Sequence, residues 1–343
     1  MFKIDLPQSG MSYDCKDDET VLDGAMRAGL EFPYSCRSGV CGSCEGDVVA
    51  GEYAIAGRTG DDRGHCGPSE RVKLCRVKPC SDMVLHPREV RKLDPNAHKT
   101  VKAKVYKIAK AASEVMILKL RFPAGTRVKF KAGQYLKVML DNGEERSFSM
   151  ANPPHQNDGV ELHIRYLKGG LFSELLFNSV KAGDTLTVRL PFGDFYLRKT
   201  EAPIVFVVGG TGFAPVKSII EDMKKNNVRR PVHLYFGART PELLYMNDLC
   251  NQWAQDIPDF SYIPVVSDAL QDWNGRSGLV HNAVLEDLPN LAGHEVYACG
   301  APGMITAARE AFENIGGMAH DAFFADAYIP AMELAPSVIA EAA

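Results

Sequence analysis

The stretch Cys36-Arg37-Ser38-Gly39-Val40-Cys41-Gly42-Ser43-Cys44 carries three cysteines in one short loop, among mostly small or polar neighbours. Around it lie 343 residues, length enough for roughly two or three domains that each close a core. Composition is that of a soluble globular protein, 45% hydrophobic and 24% charged, with a formal net charge of −4. Lys and Arg are outnumbered and form no long basic run, which speaks against a nucleic-acid partner. The first twenty residues have neither a basic n-region nor an apolar h-region, so no signal peptide is expected. The most apolar run, 204–208, is far too short to span a bilayer, so no membrane partner and a cytoplasmic location are expected. In a reducing compartment nine cysteines remain thiols or ligands. Cys15, Cys66, Cys80 and Cys250 are scattered and read as buried or incidental.

Cys36, Cys41 and Cys44 form C-x4-C-x2-C. A structural zinc site shows two short-spaced pairs, whereas a plant-type [2Fe-2S] loop supplies three thiolates and a distant segment supplies the fourth. Ser38, Gly39, Gly42 and Ser43 allow backbone N–H groups close to sulfur. Three candidates exist for the last ligand. Cys75 stands in the β-like stretch R-V-K-L-C-R-V, residues 71–77, and is the choice. Cys80 follows Pro79, where a strand would end, and Cys66 lies in a turn-rich loop. Short strands at Phe2 to Leu6, from Met11, and near 44–53, 71–77 and 83–85 are expected. So is a helix capped by Thr20 that buries Val21, Leu22, Ala25 and Met26. Together they give a β-grasp layout over 1–88 that resembles plant-type [2Fe-2S] ferredoxins, followed by a charged linker over 89–99.

Residues 100–200 show short alternating strands, with a hairpin signal at Asp141-Asn142-Gly143, and read as a small antiparallel barrel. In R-S-F-S-M, 146–150, alternation puts Arg146, Phe148 and Met150 on one face and Ser147 and Ser149 on the other. K-G-G-L-F-S-E-L-L, 168–176, opens a helix with two glycines and a serine, where free N–H groups suit a phosphate. A-P-I-V-F-V-V-G-G-T-G-F-A-P-V-K-S-I-I, 202–220, reads as buried strand, glycine turn and helix. It is not G-x-G-x-x-G, because Pro215 stands where the third glycine would be. Strand and helix then alternate to the C-terminus, including helices from about Pro241 and from Pro302, which implies a doubly wound parallel sheet over 201–343. Residues 209–215 and 299–304 both fall at carboxyl ends of strands, where ligands of such sheets bind. The fold class is thus a mixed α+β and α/β multidomain chain.

The set R-S-F-S, G-G-x-x-S, G-G-T-G-F-A-P, C-G-A-P-G-M and F-F-A-D-A-Y resembles the ferredoxin-NADP reductase superfamily. With a ferredoxin domain in front, nearly the whole chain is similar to the reductase components of bacterial aromatic-ring oxygenases. The resemblance implies FAD, with Arg146 on its pyrophosphate, Phe148 and Ser149 at its ring, Ser149 near N5, and Gly169, Gly170 and Ser173 on its phosphate. It implies that Gly210, Thr211, Gly212 and Pro215 cradle NADH or NADPH, with Cys299 and Gly300 beside the nicotinamide. Tyr328 would lie against the isoalloxazine, with Phe324 and Asp326 nearby. The family often has Tyr where this chain has Phe148, which removes a hydroxyl from that position. Asp268 disfavours a 2′-phosphate, whereas Arg239, Lys217 and Arg276 could bind one; the balance leans to NADH.

A hydride delivers two electrons and a [2Fe-2S] cluster accepts one, so a flavin between them is the necessary converter. The partner would be a terminal oxygenase, since no Rieske C-x-H pair is evident in this chain itself. Alternatives are a similar reductase serving a diiron hydroxylase or a deoxysugar dehydrase, and, from another class, a zinc-bearing binding module.

Overall fold

The computed structural model describes residues 1–56, 63–65 (backbone only), 70–94, 96–268 and 272–330. The chain forms two compact units, one of them Met1–Ala97 and the other beginning at His98.

In the first unit a five-stranded sheet has the order Met11–Cys15, Phe2–Leu6, Met83–Pro87, Glu45–Ala50, Glu70–Lys73. Phe2–Leu6 runs antiparallel to Met11–Cys15 and parallel to Met83–Pro87. Period-2 alternation turns Ile4, Leu6, Tyr13 and Cys15 inward onto helix α1, Val21–Arg27. The Thr20 hydroxyl caps α1 by accepting from the Asp23 N–H at 3.2 Å. Val21, Leu22 and Ala25 are fully buried, each large side chain being worth about 1.5–3 kcal/mol. Met26, expected with them, is only half-buried, because it sits at the flank of the apolar stripe. Gly24 is where α1 meets the sheet: a Cβ there would stand 2.7 Å from Cys15 Sγ.

The segment 71–77 is not one strand. Glu70–Lys73 is followed by a single 3-10 turn, Leu74–Arg76, and then by Val77–Pro79, which joins Glu52–Ile55 and Arg63–His65 in a separate three-stranded sheet. The turn is where the chain changes sheets, and Cys75 sits on it. Its start is pinned by the Leu74 N–H on the Cys44 carbonyl at 3.0 Å. Within the segment expected as a linker, Arg91–Lys92 pairs with Leu30–Glu31.

In the second unit six antiparallel strands have the order Glu145–Ser149, Tyr135–Met139, Thr185–Phe192, Lys99–Ala112, Val115–Arg121, Gly159–Arg165. A bridge from Met150 to Leu162 joins the two ends of that order and closes the barrel. The Asp141-Asn142-Gly143 turn makes the expected hairpin, with Gly143 at φ 84°. Helix α2, Leu171–Asn178, inserts Phe172 and Leu176 into the barrel core.

A six-stranded, wholly parallel sheet completes this unit, ordered Arg276–Ser277, Phe260–Val266, Val232–Ala238, Ile204–Gly209, Glu295–Gly300, Phe323–Ala327. The strand order reverses at Ile204–Gly209, which makes its carboxyl end the switch point where ligands bind. Helices α3, Phe213–Asn226, α4, Asn247–Asp256, α5, Val280–Asp287, and α6, Pro302–Asn314, cover the sheet. The helix expected from Pro241 begins later: Pro241–Leu243 is one 3-10 turn, and Leu244 at ψ 57° leaves the helical region before α4 starts.

Candidate cofactor sites

The cluster loop leaves Leu30–Glu31 and is anchored by buried Phe32 and Tyr34. Arg37, Gly39 and Gly42 have φ of 55°, 80° and 78°, so the backbone coils tightly. A Cβ on Gly39 would stand 2.8 Å from Arg76 Cγ, beside Cys75. The loop thereby lies against the 3-10 turn, with Cys36 beside Cys41 and Cys44 beside Cys75. Cys41, Cys44 and Cys75 are buried and Cys36 half-buried. The thiols interact in two pairs. The hydrogen bond from Cys41 holds Cys36 below its usual pKa and pushes Cys41 above its own, and the bond between Cys44 and Cys75 lifts Cys44 and lowers Cys75. The Cys41 N–H also points at Cys36 Sγ, 3.4 Å away.

Among the described residues no three His, Cys, Asp or Glu converge as for a single ion. Two pairs of thiols instead suit two metal atoms, and the Ser38 hydroxyl, buried without a conventional partner beside Cys36, is a donor available to cluster sulfur. These residues fit a [2Fe-2S] group. Cys80 is half-buried and its N–H bonds the Glu52 carbonyl at 2.8 Å, in the other sheet. Cys66 lies outside the described residues.

In the second unit, three strand ends meet. Ser149, buried, ends the R-S-F-S strand. Cys299 lies fully buried on Glu295–Gly300, and Tyr328 follows Phe323–Ala327. The Tyr328 hydroxyl donates to Ser149 Oγ at 2.7 Å and is hydrogen-bonded with the Cys299 thiol. Asp326, buried, faces Cys299 across the strand pair. Burial first, and then the Asp326 charge, push the Cys299 thiol up, so it is a neutral group here. Phe324 lies apart from this trio: it stacks on Tyr297 with centroids 5.0 Å apart, under the Arg198 guanidinium at 4.7 Å. No motif had singled out Arg198 or Tyr297, and an arginine in F-Y-L-R-K signals nothing until the fold places it on an aromatic face.

The other flavin candidates are occupied by the chain itself. Arg146 pairs with Glu144 and donates to the Glu145 carbonyl at 3.0 Å. Phe148 packs on Phe172 of α2, centroids 5.2 Å apart. The Gly169 N–H donates to Glu174 Oε1 at 2.6 Å. Glu144 and Glu174 thus stand where donors await an anion, and that donor set fits a phosphate-bearing group. Ser173 does something the motif did not disclose. Its hydroxyl accepts from the Leu167 N–H at 3.1 Å and bonds the Leu167 and Gly170 carbonyls at 3.0 Å, so it folds the turn.

The glycine turn has two faces. Gly210, at φ 54°, has no atom within 4 Å of where a Cβ would be, so it is open to a ligand. Gly212 is there for packing, since its Cβ would stand 2.1 Å from the Cys299 carbonyl oxygen. Thr211 lies between them on the same 3-10 turn. Gly300 follows Cys299 at φ 154°, and Pro215, buried, is tolerated in the first turn of α3. Of the cations expected as candidates for a 2′-phosphate, Arg276 is held by Glu286 and Asp287, and Lys217 by Glu161 and Glu221. Asp268 is exposed on the loop after Phe260–Val266.

Three family models match in sequence order: a 2Fe-2S iron-sulfur cluster binding domain over 4–80, an oxidoreductase FAD-binding domain over 102–196 and an oxidoreductase NAD-binding domain over 206–310. Reductase component 2 of terephthalate 1,2-dioxygenase from Comamonas sp is 42% identical, over 95% of this chain and 97% of the relative. The CDP-6-deoxy-L-threo-D-glycero-4-hexulose-3-dehydrase reductase of Yersinia pseudotuberculosis is 38% identical, over 95% and 98%. A crystal structure of an Amycolatopsis cytochrome P450 reductase covers 96% of this chain and 99% of its own, with a TM-score of 0.74 and 28% identity. Cluster loop, flavin barrel and nicotinamide sheet therefore form one oxidoreductase, and the chain belongs to the ferredoxin-NADP reductase superfamily, as a flavoprotein reductase with a [2Fe-2S] domain in front.

Proposed function

We propose that this protein draws electrons from NADH and passes them through FAD and a [2Fe-2S] cluster to the terminal oxygenase of an aromatic-ring dioxygenase, with terephthalate the ring substrate. One observation carries the reading: the Tyr328–Ser149 contact at 2.7 Å, with Cys299 on the same hydroxyl, joins the flavin strand to the nicotinamide strand end. When bound, FAD takes the electron pair of a hydride and releases it singly. The chain's own residues supply the setting. Ser149 and Tyr328 fix the ring site, and the neutral Cys299 closes it without adding charge where a cationic nicotinamide would leave. Arg146 and the Gly169–Gly170 turn would hold the FAD phosphates by exchanging Glu144 and Glu174 for phosphate oxygens. Cys36, Cys41, Cys44 and Cys75 would hold the cluster as thiolates, releasing their protons as it binds.

NADH is preferred because Asp268, exposed on the loop after Phe260–Val266, would repel a 2′-phosphate. Of the three candidate cations, Arg239 alone is exposed. Cluster ligands that stay reduced and a supply of NADH suit a cytoplasmic location. Among the described residues no helix is long and apolar enough to cross a membrane. The test is reconstitution with a purified terephthalate oxygenase: NADH-dependent product formation supports the reading. Reduction of a deoxysugar dehydrase but not of the oxygenase would favour the second relative's role instead. A kcat/KM for NADPH equal to that for NADH would remove the nucleotide preference.

A further inference from the structure

A buried polar cluster joins the barrel to the parallel sheet, and no cofactor role accounts for it. On the barrel side stand Glu161 and His163, both buried, on Gly159–Arg165. On the other side stand Lys217 and Ser218 of α3 and Tyr245, just before α4. Glu161 Oε1 lies 3.0 Å from His163 Nε2, and Tyr245 Oη lies 2.9 Å from His163 Nδ1. Lys217 Nζ is 3.3 Å from Glu161, 2.9 Å from Glu221 and 3.3 Å from the Ala151 carbonyl. Ser218 donates to the Asn152 carbonyl at 2.7 Å. Lys119 reaches the other Glu161 oxygen at 2.7 Å.

Glu161 accepts, so His163 Nε2 carries a hydrogen. Burial makes the ring less basic than free histidine, and in the neutral ring Nδ1 accepts from the Tyr245 hydroxyl. Such bonds are directional. Apolar surfaces of equal area can slide by a fraction of an ångström, whereas this arrangement is satisfied in one register only. Both ends of the cluster also lead directly to the reaction site. Ala151 and Asn152 follow the R-S-F-S-M strand that ends in Ser149, and Lys217 and Ser218 lie on the helix whose N-terminus is the Gly210–Gly212 turn.

We infer that His163 is a positioning residue for hydride transfer: held between Glu161 and Tyr245, it sets the spacing between the flavin strand and the helix that presents the nicotinamide. The inference rests on the flavin and nicotinamide sites assigned above. Tyr245→Phe deletes one hydroxyl and leaves the ring in place; His163→Gln removes one of two ring partners. In the holoprotein, flavin reduction at saturating NADH should slow by roughly ten- to hundred-fold in each, since displacement of about 1 Å costs that much. FAD content and the Kd for NAD+ should be unchanged, and the primary isotope effect with 4-deuterated NADH should rise. In the holoprotein without nucleotide, amide exchange over α3 should quicken, and in the double variant the two losses should not add. A lowered Tm with an unchanged reduction rate and isotope effect would reduce His163 to a structural role and overturn the inference. If NADH failed to reduce the flavin of the unaltered protein, the site assignment itself would be wrong, which is a different result.

Discussion

Gly212→Ala tests how the glycine turn works. The added Cβ would stand 2.1 Å from the Cys299 carbonyl oxygen, 2.5 Å from its carbon and 2.9 Å from the Gly300 nitrogen. All three are backbone atoms, so no side chain can rotate away; the turn and the Cys299 strand end must separate by about 1 Å to reach ordinary contact. Overpacking of that kind costs about 1–3 kcal/mol, or roughly 2–12 °C in the melting of a unit this size. The same displacement moves the nicotinamide support from the flavin support, so flavin reduction at saturating NADH should fall by roughly a hundred-fold. Gly210→Ala is the control. Its Cβ meets nothing within 4 Å, so apart from the strain of φ 54°, about 1–2 kcal/mol, it acts only where a ligand phosphate would lie. It should raise KM for NADH with kcat nearly unchanged. Melting curves and anaerobic stopped-flow kinetics on both variants decide the matter. A Gly212→Ala protein that melts and reduces like the parent would refute the claim that close backbone packing sets this site.

Three further expectations can be checked alongside. Cys75→Ser should lose most bound iron while NADH still bleaches the flavin, and Cys80→Ser should keep both centres; iron analysis and visible spectra report each. Arg230 and Glu295 form a buried ion pair at 2.6 Å, so Arg230→Met strands a carboxylate and should cost about 3–5 kcal/mol, read by urea denaturation. Stability should fall on acidification in two stages. Burial keeps His163 less basic than free histidine, so the unfolded chain binds its proton first and stability declines below about pH 6.5. Burial alone would raise the Glu161 carboxyl, but the His163 bond and the Lys217 charge hold it well below the usual range, and its contribution is lost further down, below about pH 4.3. Glu221, Lys119 and Tyr245 complete the groups facing this pair. His163→Gln should shrink the upper stage in melts run from pH 7 to 4, leaving the part contributed by His233 and His281, which burial also makes less basic.

What could be read in the residues follows from the range of the forces involved. Alternation in Phe2–Leu6, the Thr20 cap and the Asp141-Asn142-Gly143 hairpin are local, and the folded chain shows all three. The glycine turn after Ile204–Gly209 was legible because strand, turn and helix are consecutive. Less local features escaped. Cys75 reads as a strand residue until the chain has to leave one sheet for another, which only the tertiary fold imposes. Ser173 looks like a phosphate ligand because the motif does not reveal that Leu167 is its partner. Arg276 and Lys217 appear as free cations in the sequence, and their carboxylates come from α5 and its C-terminus, from α3 and from Gly159–Arg165. His163 carried no pattern at all. Its partners are Glu161, two positions before it in the same strand, and Tyr245 from a distant segment, and no periodicity links those two.

Electron transfer from a two-electron donor to a one-electron centre within one polypeptide is most directly tested by anaerobic titration of the holoprotein with NADH. Full reduction should take about 1.5 equivalents per chain, two electrons for FAD and one for the cluster, with the cluster signal appearing in the paramagnetic spectrum as the flavin band fades. Reduction that stops at the flavin, with the iron centre left oxidised at any excess of NADH, would contradict the account.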